Sequence, residues 1–182
     1  FLVIAYKELR RMEHAILERL AELDPKHQVL FAKSVINVEN FYGIEIDDFA
    51  VEVAILSLWI AKHQMNREFR EKFRVEIPLI PLKETGQIKA GNATRIEWSA
   101  VCPNDGEAEI YLIGNPPYVY GRENFTEDEK AAFHRAFETA QYQINTYIIF
   151  IEQANRVLKD HGALGLIVPN SWLMINSAHD LR

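Results

Sequence analysis

The 182-residue sequence holds one cysteine, Cys102, which excludes an internal disulfide and a cysteine zinc site and fits a reducing, cytoplasmic setting. Its six histidines (His14, His27, His63, His134, His161 and His179) show no pairing at metal-ligand spacing and read as surface or cap residues, so no metal is expected. Long apolar runs are missing, none approaching the roughly 20 residues that span a bilayer, and no leader pattern opens the chain. Basic residues are in deficit, 20 Lys and Arg against 26 Asp and Glu, for a formal charge of −6. An extended phosphate-gripping surface is therefore not expected on this stretch. There is no internal repeat, no low-complexity segment, no P-loop and no convincing nuclease-like Asp…Glu-x-Lys pattern.

What remains is 48% apolar and 25% charged, ordinary for a soluble domain with a real core. Residues 1 to about 23 read as an amphipathic helix lying on a sheet, with Ile4, Leu9, Met12, Ile16, Leu20 and Leu23 inward, ended by Asp24-Pro25. A weaker helix or turn follows around Val29, Leu30 and Phe31, then a strand over 41–46. Asp47 or Asp48 caps a helix running to about Gln64, with Val51, Ala54, Ile55 and Leu58 inward. Residues 66–86, broken by Pro78, Pro81 and Gly86, read as an irregular insertion. A short strand over 87–90 precedes Gly91-Asn92-Ala93, and Asn104-Asp105-Gly106 is a turn signal before a strand over 109–113. Thr126 and Glu129 form a capping box for a helix to about Glu138; a long helix through Tyr147 and Leu158 then stops at Gly162. A buried strand over 163–168 ends at Pro169. Strands alternating with long helices predict an α/β, doubly wound, mainly parallel sheet. Trp59 and Trp98 are expected in the core, and Cys102, before Pro103, is expected to be structural.

The chain is organised around Ile110 to Tyr118. An apolar strand stops at Gly114, and two prolines then fix their own φ and hold Asn115 extended at the strand's carboxyl end, where open α/β sheets bind ligands. A planar amide, a rigid carbonyl and the Tyr118 ring suit a flat base carrying an exocyclic amine. The plain alternative is a proline turn closing a strand. Glu45, at the tip of the strand over 41–46, is placed to accept from ribose hydroxyls, the alternative being a solvated acid at a helix N-terminus.

Asn115-Pro116-Pro117-Tyr118 after such a strand resembles motif IV of the S-adenosylmethionine-dependent amino-methyltransferases, above all the N6-adenine DNA methyltransferases. Residues 147–152 and 158–172 resemble motifs V and VI, and residues 40–64 and 91–98 are similar to the large fused restriction–modification enzymes of the MmeI kind. The resemblance covers nearly the whole chain and implies the class I, Rossmann-like methyltransferase fold. It implies catalysis by Asn115, Pro116, Pro117 and Tyr118: the Asn115 amide oxygen and the Pro116 carbonyl take the two N6 hydrogens of an extruded adenine, and Tyr118 stacks on the base. It implies S-adenosyl-L-methionine as cofactor, with Glu45 on its ribose, Ile46 against its adenine, and Asn92 and Ala93 as the motif III turn, the Asn92 side chain meeting the exocyclic amine of the cofactor's adenine. DNA is the implied partner, held mainly by recognition regions outside this stretch.

The sequence also departs from the pattern. The glycine-rich motif I and the first strand are absent, and the chain opens on Phe1 without an initiator Met. Residues 1–182 thus read as a partial methyltransferase catalytic domain that binds cofactor poorly alone and is inactive in isolation. The missing strand leaves unpaired sheet edges, which predicts a gap, a direct pairing of the flanking strands, or dimerisation. Residues 119–126 read as a lid loop, with Arg122 meeting a phosphate, or as a plain surface loop. The same four residues also occur in enzymes that methylate a release-factor glutamine or an RNA guanine amine, and a non-catalytic scaffold module is the reading from another class.

Overall fold

The structure, a computed structural model, describes residues 1–23, 34–75, 86–141, 143–158, 162–170 and 174. The turn expected around Val29 to Phe31, the prolines at 78 and 81, the Lys159 to His161 helix end and the Arg122 side chain lie outside that description. The chain divides into two compact units, Phe1–Gly91 and Asn92–Arg182.

In the first unit α1 (Leu2–Leu23) packs along α2 (Asp48–Phe73) beside a parallel strand pair, β1 (Tyr42–Glu45) and β2 (Gln87–Ala90). Asp47 is the N-cap of α2, its carboxylate accepting the Ala50 N–H at 2.8 Å, as its side-chain chemistry predicts. The helix does not stop near Gln64. It runs to Phe73 and closes on Arg74 in the left-handed conformation, φ 54°, so 66–73 is helix rather than irregular insertion. The reason is a continuous buried stripe through Leu58, Ala61, Lys62, Met65 and Phe69, at helical spacing straight across the supposed end.

The face of α1 is a second correction. Ile4, Leu9, Met12, Ile16, Leu20 and Leu23 are exposed, and the helix instead buries Tyr6, Arg10 and His14. These three recur every fourth residue and meet α2 and the residues around Val38 and Phe41. A polar network makes that burial tolerable. Arg10, only 2% exposed, donates from Nη1 to the Tyr6 hydroxyl and to Asn66 Oδ1, each at 3.0 Å, and its Nε lies 3.0 Å from Glu13 Oε2. Glu13 in turn accepts from the Ser34 hydroxyl and the Val35 N–H, both at 2.7 Å. Removing one partner from a buried pair of this kind typically costs about 3–5 kcal/mol.

In the second unit β3 (Ile110–Gly114) and β4 (Gly162–Leu166) pair in parallel, Ile110 opposite Gly162 through Gly114 opposite Leu166. The connection between them carries α3 (Glu127–Ala136) and α4 (Thr146–Leu158). Both halves of the Thr126–Glu129 capping box form at the start of α3. The apolar face of α4, through Tyr147, Ile148 and Ile151, packs against Leu166 and Val168. Neither strand is fully buried as the sequence suggested: Tyr111, Ile113 and Leu164 are exposed. The single mainly parallel sheet is corrected as well. Among the described residues the strands form two two-stranded parallel sheets, β1-β2 and β3-β4. No helix of the described residues is long and apolar enough to cross a membrane.

Two outcomes follow from this packing. Gly162 has no room for a side chain, since a Cβ there would sit 2.3 Å from the Ile110 carbonyl oxygen. Gly162→Ala should lower the unfolding free energy by about 1–3 kcal/mol in urea titration. Burial, and then the charge of Arg10, holds the His14 imidazole below its ordinary value of 6.5. The unfolded chain therefore takes up a proton first as pH falls. The stability contribution is complete above 6.5 and is lost as pH drops towards the folded-state value. Melting curves at about pH 7.5 and 5.5 should show a larger fall for the natural chain than for His14→Phe.

Candidate functional site

Asn115 stands at the carboxyl end of β3, exposed, and is followed by the buried Pro116. Parallel pairing continues just past the strands, the Ile167 N–H donating to the Gly114 carbonyl at 3.0 Å, so the residues after β3 and β4 lie side by side. Tyr118 joins the two ends. Its hydroxyl lies 2.7 Å from Asn115 Oδ1 and 2.8 Å from the Ile167 carbonyl oxygen, and its ring meets Tyr147 edge-on at 6.2 Å. One phenolic proton serves two acceptors, so only one of these bonds is donated at a time. Asn115 Oδ1 has two lone pairs, and the Pro116 carbonyl has no partner among the described residues. The site thus combines one exposed amide oxygen, a neighbouring carbonyl without a partner among the described residues, and a half-exposed aromatic ring.

The diproline segment is held from outside. Thr146, the first residue of α4 and buried, donates its hydroxyl to the Pro117 carbonyl and accepts the Val119 N–H at 3.0 Å. Its own N–H reaches the Val119 carbonyl at 3.0 Å. Sequence reasoning passed over Thr146; the available signal was a hydroxyl residue opening an apolar helix. Beyond Tyr118, the expected lid 119–126 is partly ordered. A 3-10 turn spans Arg122–Asn124, Asn124 donates to the Tyr120 carbonyl at 2.6 Å, and Phe125 packs on Phe133.

The remaining predicted residues fall on two places. In the first unit Glu45 ends β1, its backbone carbonyl accepting from Gly91 N–H at 2.8 Å, which aligns the carboxyl ends of β1 and β2. Glu45 Oε1 accepts from the Ile46 and Asp47 N–H groups at 2.8 and 3.3 Å, and Oε2 has no partner among the described residues. Ile46 beside it is 71% exposed. An acid with one open oxygen next to an uncovered apolar side chain fits a nucleoside, sugar and ring respectively. In the second unit Asn92 Oδ1 accepts from both the Thr94 N–H and hydroxyl, at 2.9 and 2.7 Å, so only its Nδ2 is left to address a ligand. Ala93 contributes its carbonyl to Trp98 Nε1 at 2.8 Å. Trp98 is buried, as expected, and meets Phe150 of α4 edge-on, while Gln153 of α4 donates to the Ile96 carbonyl. One helix thereby steadies both the 92–98 turn and the residues after Asn115. Trp59 is only partly buried, stacked on His63. Burial raises the Cys102 thiol above its ordinary range, in keeping with an inert structural cysteine.

A family model described as the MmeI DNA-methyltransferase domain matches residues 1–174. DNA methyltransferase A of Bacillus subtilis (strain 168) is 52% identical over 120 residues, 65% of this chain and 13% of that protein. The type II restriction enzyme and methyltransferase RM.Eco57I of Escherichia coli is 26% identical over 153 residues, 78% of this chain and 15% of that protein. Among solved structures, the type IIL restriction–modification enzyme MmeI in complex with DNA is similar with TM-score 0.67 and 31% identity, over 86% of this chain and 21% of that one. The chain therefore spans a small part of each relative's length. Tyr118→Phe should cost no more than about 0.5–1.5 kcal/mol in thermal unfolding, since it removes one shared hydrogen bond at a solvent-exposed position.

Proposed function

The chain belongs to the MmeI DNA-methyltransferase family, and from that membership we propose that it serves the transfer of a methyl group to the N6 amine of adenine in DNA, within a restriction–modification enzyme. The observation carrying this reading is the exposed Asn115 amide next to a Pro116 carbonyl that has no partner among the described residues, at the carboxyl end of a parallel strand, with Tyr118 alongside. DNA as partner is supported by the similarity to MmeI, whose structure is a DNA complex. The deficit of basic residues implies that most phosphate contacts come from outside this domain.

An adenine N6 is a poor nucleophile because its lone pair is delocalised into the ring. Asn115 Oδ1 and the Pro116 carbonyl each accept one N6 hydrogen, which favours a pyramidal nitrogen with a localised pair. No side chain with a tuned pKa is required; the catalysis is orientation and preorganised acceptors. Tyr118 loses nothing when the amine arrives, because its hydroxyl proton can pass wholly to the Ile167 carbonyl. Its ring then stacks on the base taken from the duplex, an interaction worth ~1–3 kcal/mol. S-adenosylmethionine, when bound, would supply an electrophilic methyl on its sulfonium sulfur, which leaves as a neutral thioether as the nitrogen–carbon bond forms, and the methylated amine sheds one N6 proton to solvent. Glu45 Oε2 would accept from its ribose hydroxyls and Ile46 would cover its adenine ring. Asn92 acts as a donor through Nδ2, because its oxygen is already taken by Thr94.

In the complete enzyme, Asn115→Ala should reduce labelled-methyl transfer to an adenine-containing duplex by about 100-fold or more, with cofactor affinity by calorimetry nearly unchanged. Nucleoside mass spectrometry should find the label on adenine N6. Label on a release-factor glutamine or a guanine amine instead would refute the substrate assignment, and full turnover by the variant would refute the site.

A further inference from the structure

The diproline that makes Asn115 rigid also removes two backbone donors from the segment that must be held still. Neither Pro116 nor Pro117 has an N–H, so this stretch can be fixed only through its carbonyls or from Tyr118 onward. Thr146 takes both routes at once. Its hydroxyl donates to the Pro117 carbonyl, with the Val119 carbonyl a second acceptor at 3.2 Å, the same oxygen accepts the Val119 N–H at 3.0 Å, and its backbone N–H binds the Val119 carbonyl at 3.0 Å. The residue is 5% exposed and opens α4, whose next turns are buried through Tyr147, Ile148, Ile149 and Ile151. The contact is therefore anchored in the core rather than on a loop. Tyr120 adds a single antiparallel bridge to Asn145, the neighbour of Thr146, so the segment meets the start of α4 as a short strand would.

We propose that Thr146 is a positioning residue for methyl transfer: by pinning the peptide units on either side of Tyr118 to the first turn of α4, it sets the direction of the Pro116 carbonyl and the placement of the Tyr118 ring. This rests on the functional reading given above. The residue touches neither base nor cofactor; it acts through the backbone between Pro117 and Val119. A hydroxyl is essential at this position, because the same oxygen must donate to one group and accept from another. Valine, with the shape of threonine, can do neither, while its N–H bond to Val119 survives. Serine keeps both functions and loses only the methyl that stiffens χ1.

The test uses the complete enzyme and four variants: Thr146→Val, Thr146→Ala, Thr146→Ser and Asn115→Ala. Displacing the acceptors by a fraction of an ångström to 1 Å predicts a fall in kcat of about 10–100-fold for Thr146→Val and Thr146→Ala, with Thr146→Ser within a few-fold of the natural enzyme. Cofactor dissociation constant and melting temperature should hardly move, and amide exchange at Val119 should accelerate in the valine and alanine variants alone. Natural kcat in Thr146→Val or Thr146→Ala overturns the proposal, as does a loss of cofactor binding and folding in both that matches the loss of kcat. Turnover lost in Asn115→Ala but kept in Thr146→Val sinks only the positioning role; turnover kept in Asn115→Ala sinks the functional reading beneath it.

Discussion

Two adjacent prolines after a parallel strand impose the constraint on which this site depends. They fix φ twice in succession and remove two hydrogen-bond donors, so the chain leaving β3 is stiff yet cannot tie itself down. The consequences are visible in every neighbouring contact. The Pro116 carbonyl is left without a partner among the described residues, Asn115 keeps an open lone pair, and the anchoring passes to Thr146 on α4 and to the Tyr118 hydroxyl beside Ile167. Rigidity and unsatisfied acceptors come from one cause.

Around that segment α4 serves as the common scaffold. Its first residue holds the backbone after Asn115, Phe150 and Gln153 hold the turn from Asn92 to Trp98, and Glu152, nearly buried, accepts from Thr139 and pairs with Arg156. A helix buried along most of its length resists small displacements because interiors are close-packed. That suits a reaction driven by placement rather than by a titrating group. In the other unit Glu45 spends one carboxylate oxygen on the turn that opens α2 and keeps the other open, with Ile46 uncovered next to it.

How much of this was legible depends on the range of the interactions involved. The Asp47 cap, the Thr126–Glu129 box, the strand ending at Gly114 and the exposed Asn115 are local, encoded within a few residues, and the sequence announces each. The face of α1 was misread because periodicity reveals a stripe but not what covers it: burial follows Tyr6, Arg10 and His14, whose partners Asn66 and Phe69 lie far along the chain. The extent of α2 was misread because charges between 66 and 73 hid Met65 and Phe69 on one buried face. Thr146 carried only the weak signal of a hydroxyl opening an apolar helix, because its partners are 27 and 29 residues away. The strand before Gly91 was legible, but the engagement of the Asn92 amide oxygen by Thr94 is a matter of side-chain geometry.

The most direct measurement of the central claim is a structure of the complete enzyme on a duplex containing its target adenine, with an unreactive cofactor analogue. The account predicts an extruded adenine whose N6 lies about 2.7–3.2 Å from both Asn115 Oδ1 and the Pro116 carbonyl oxygen, with the Tyr118 ring against the base. An adenine left stacked in the duplex, or an extruded base whose amine faces away from those two oxygens, would contradict it.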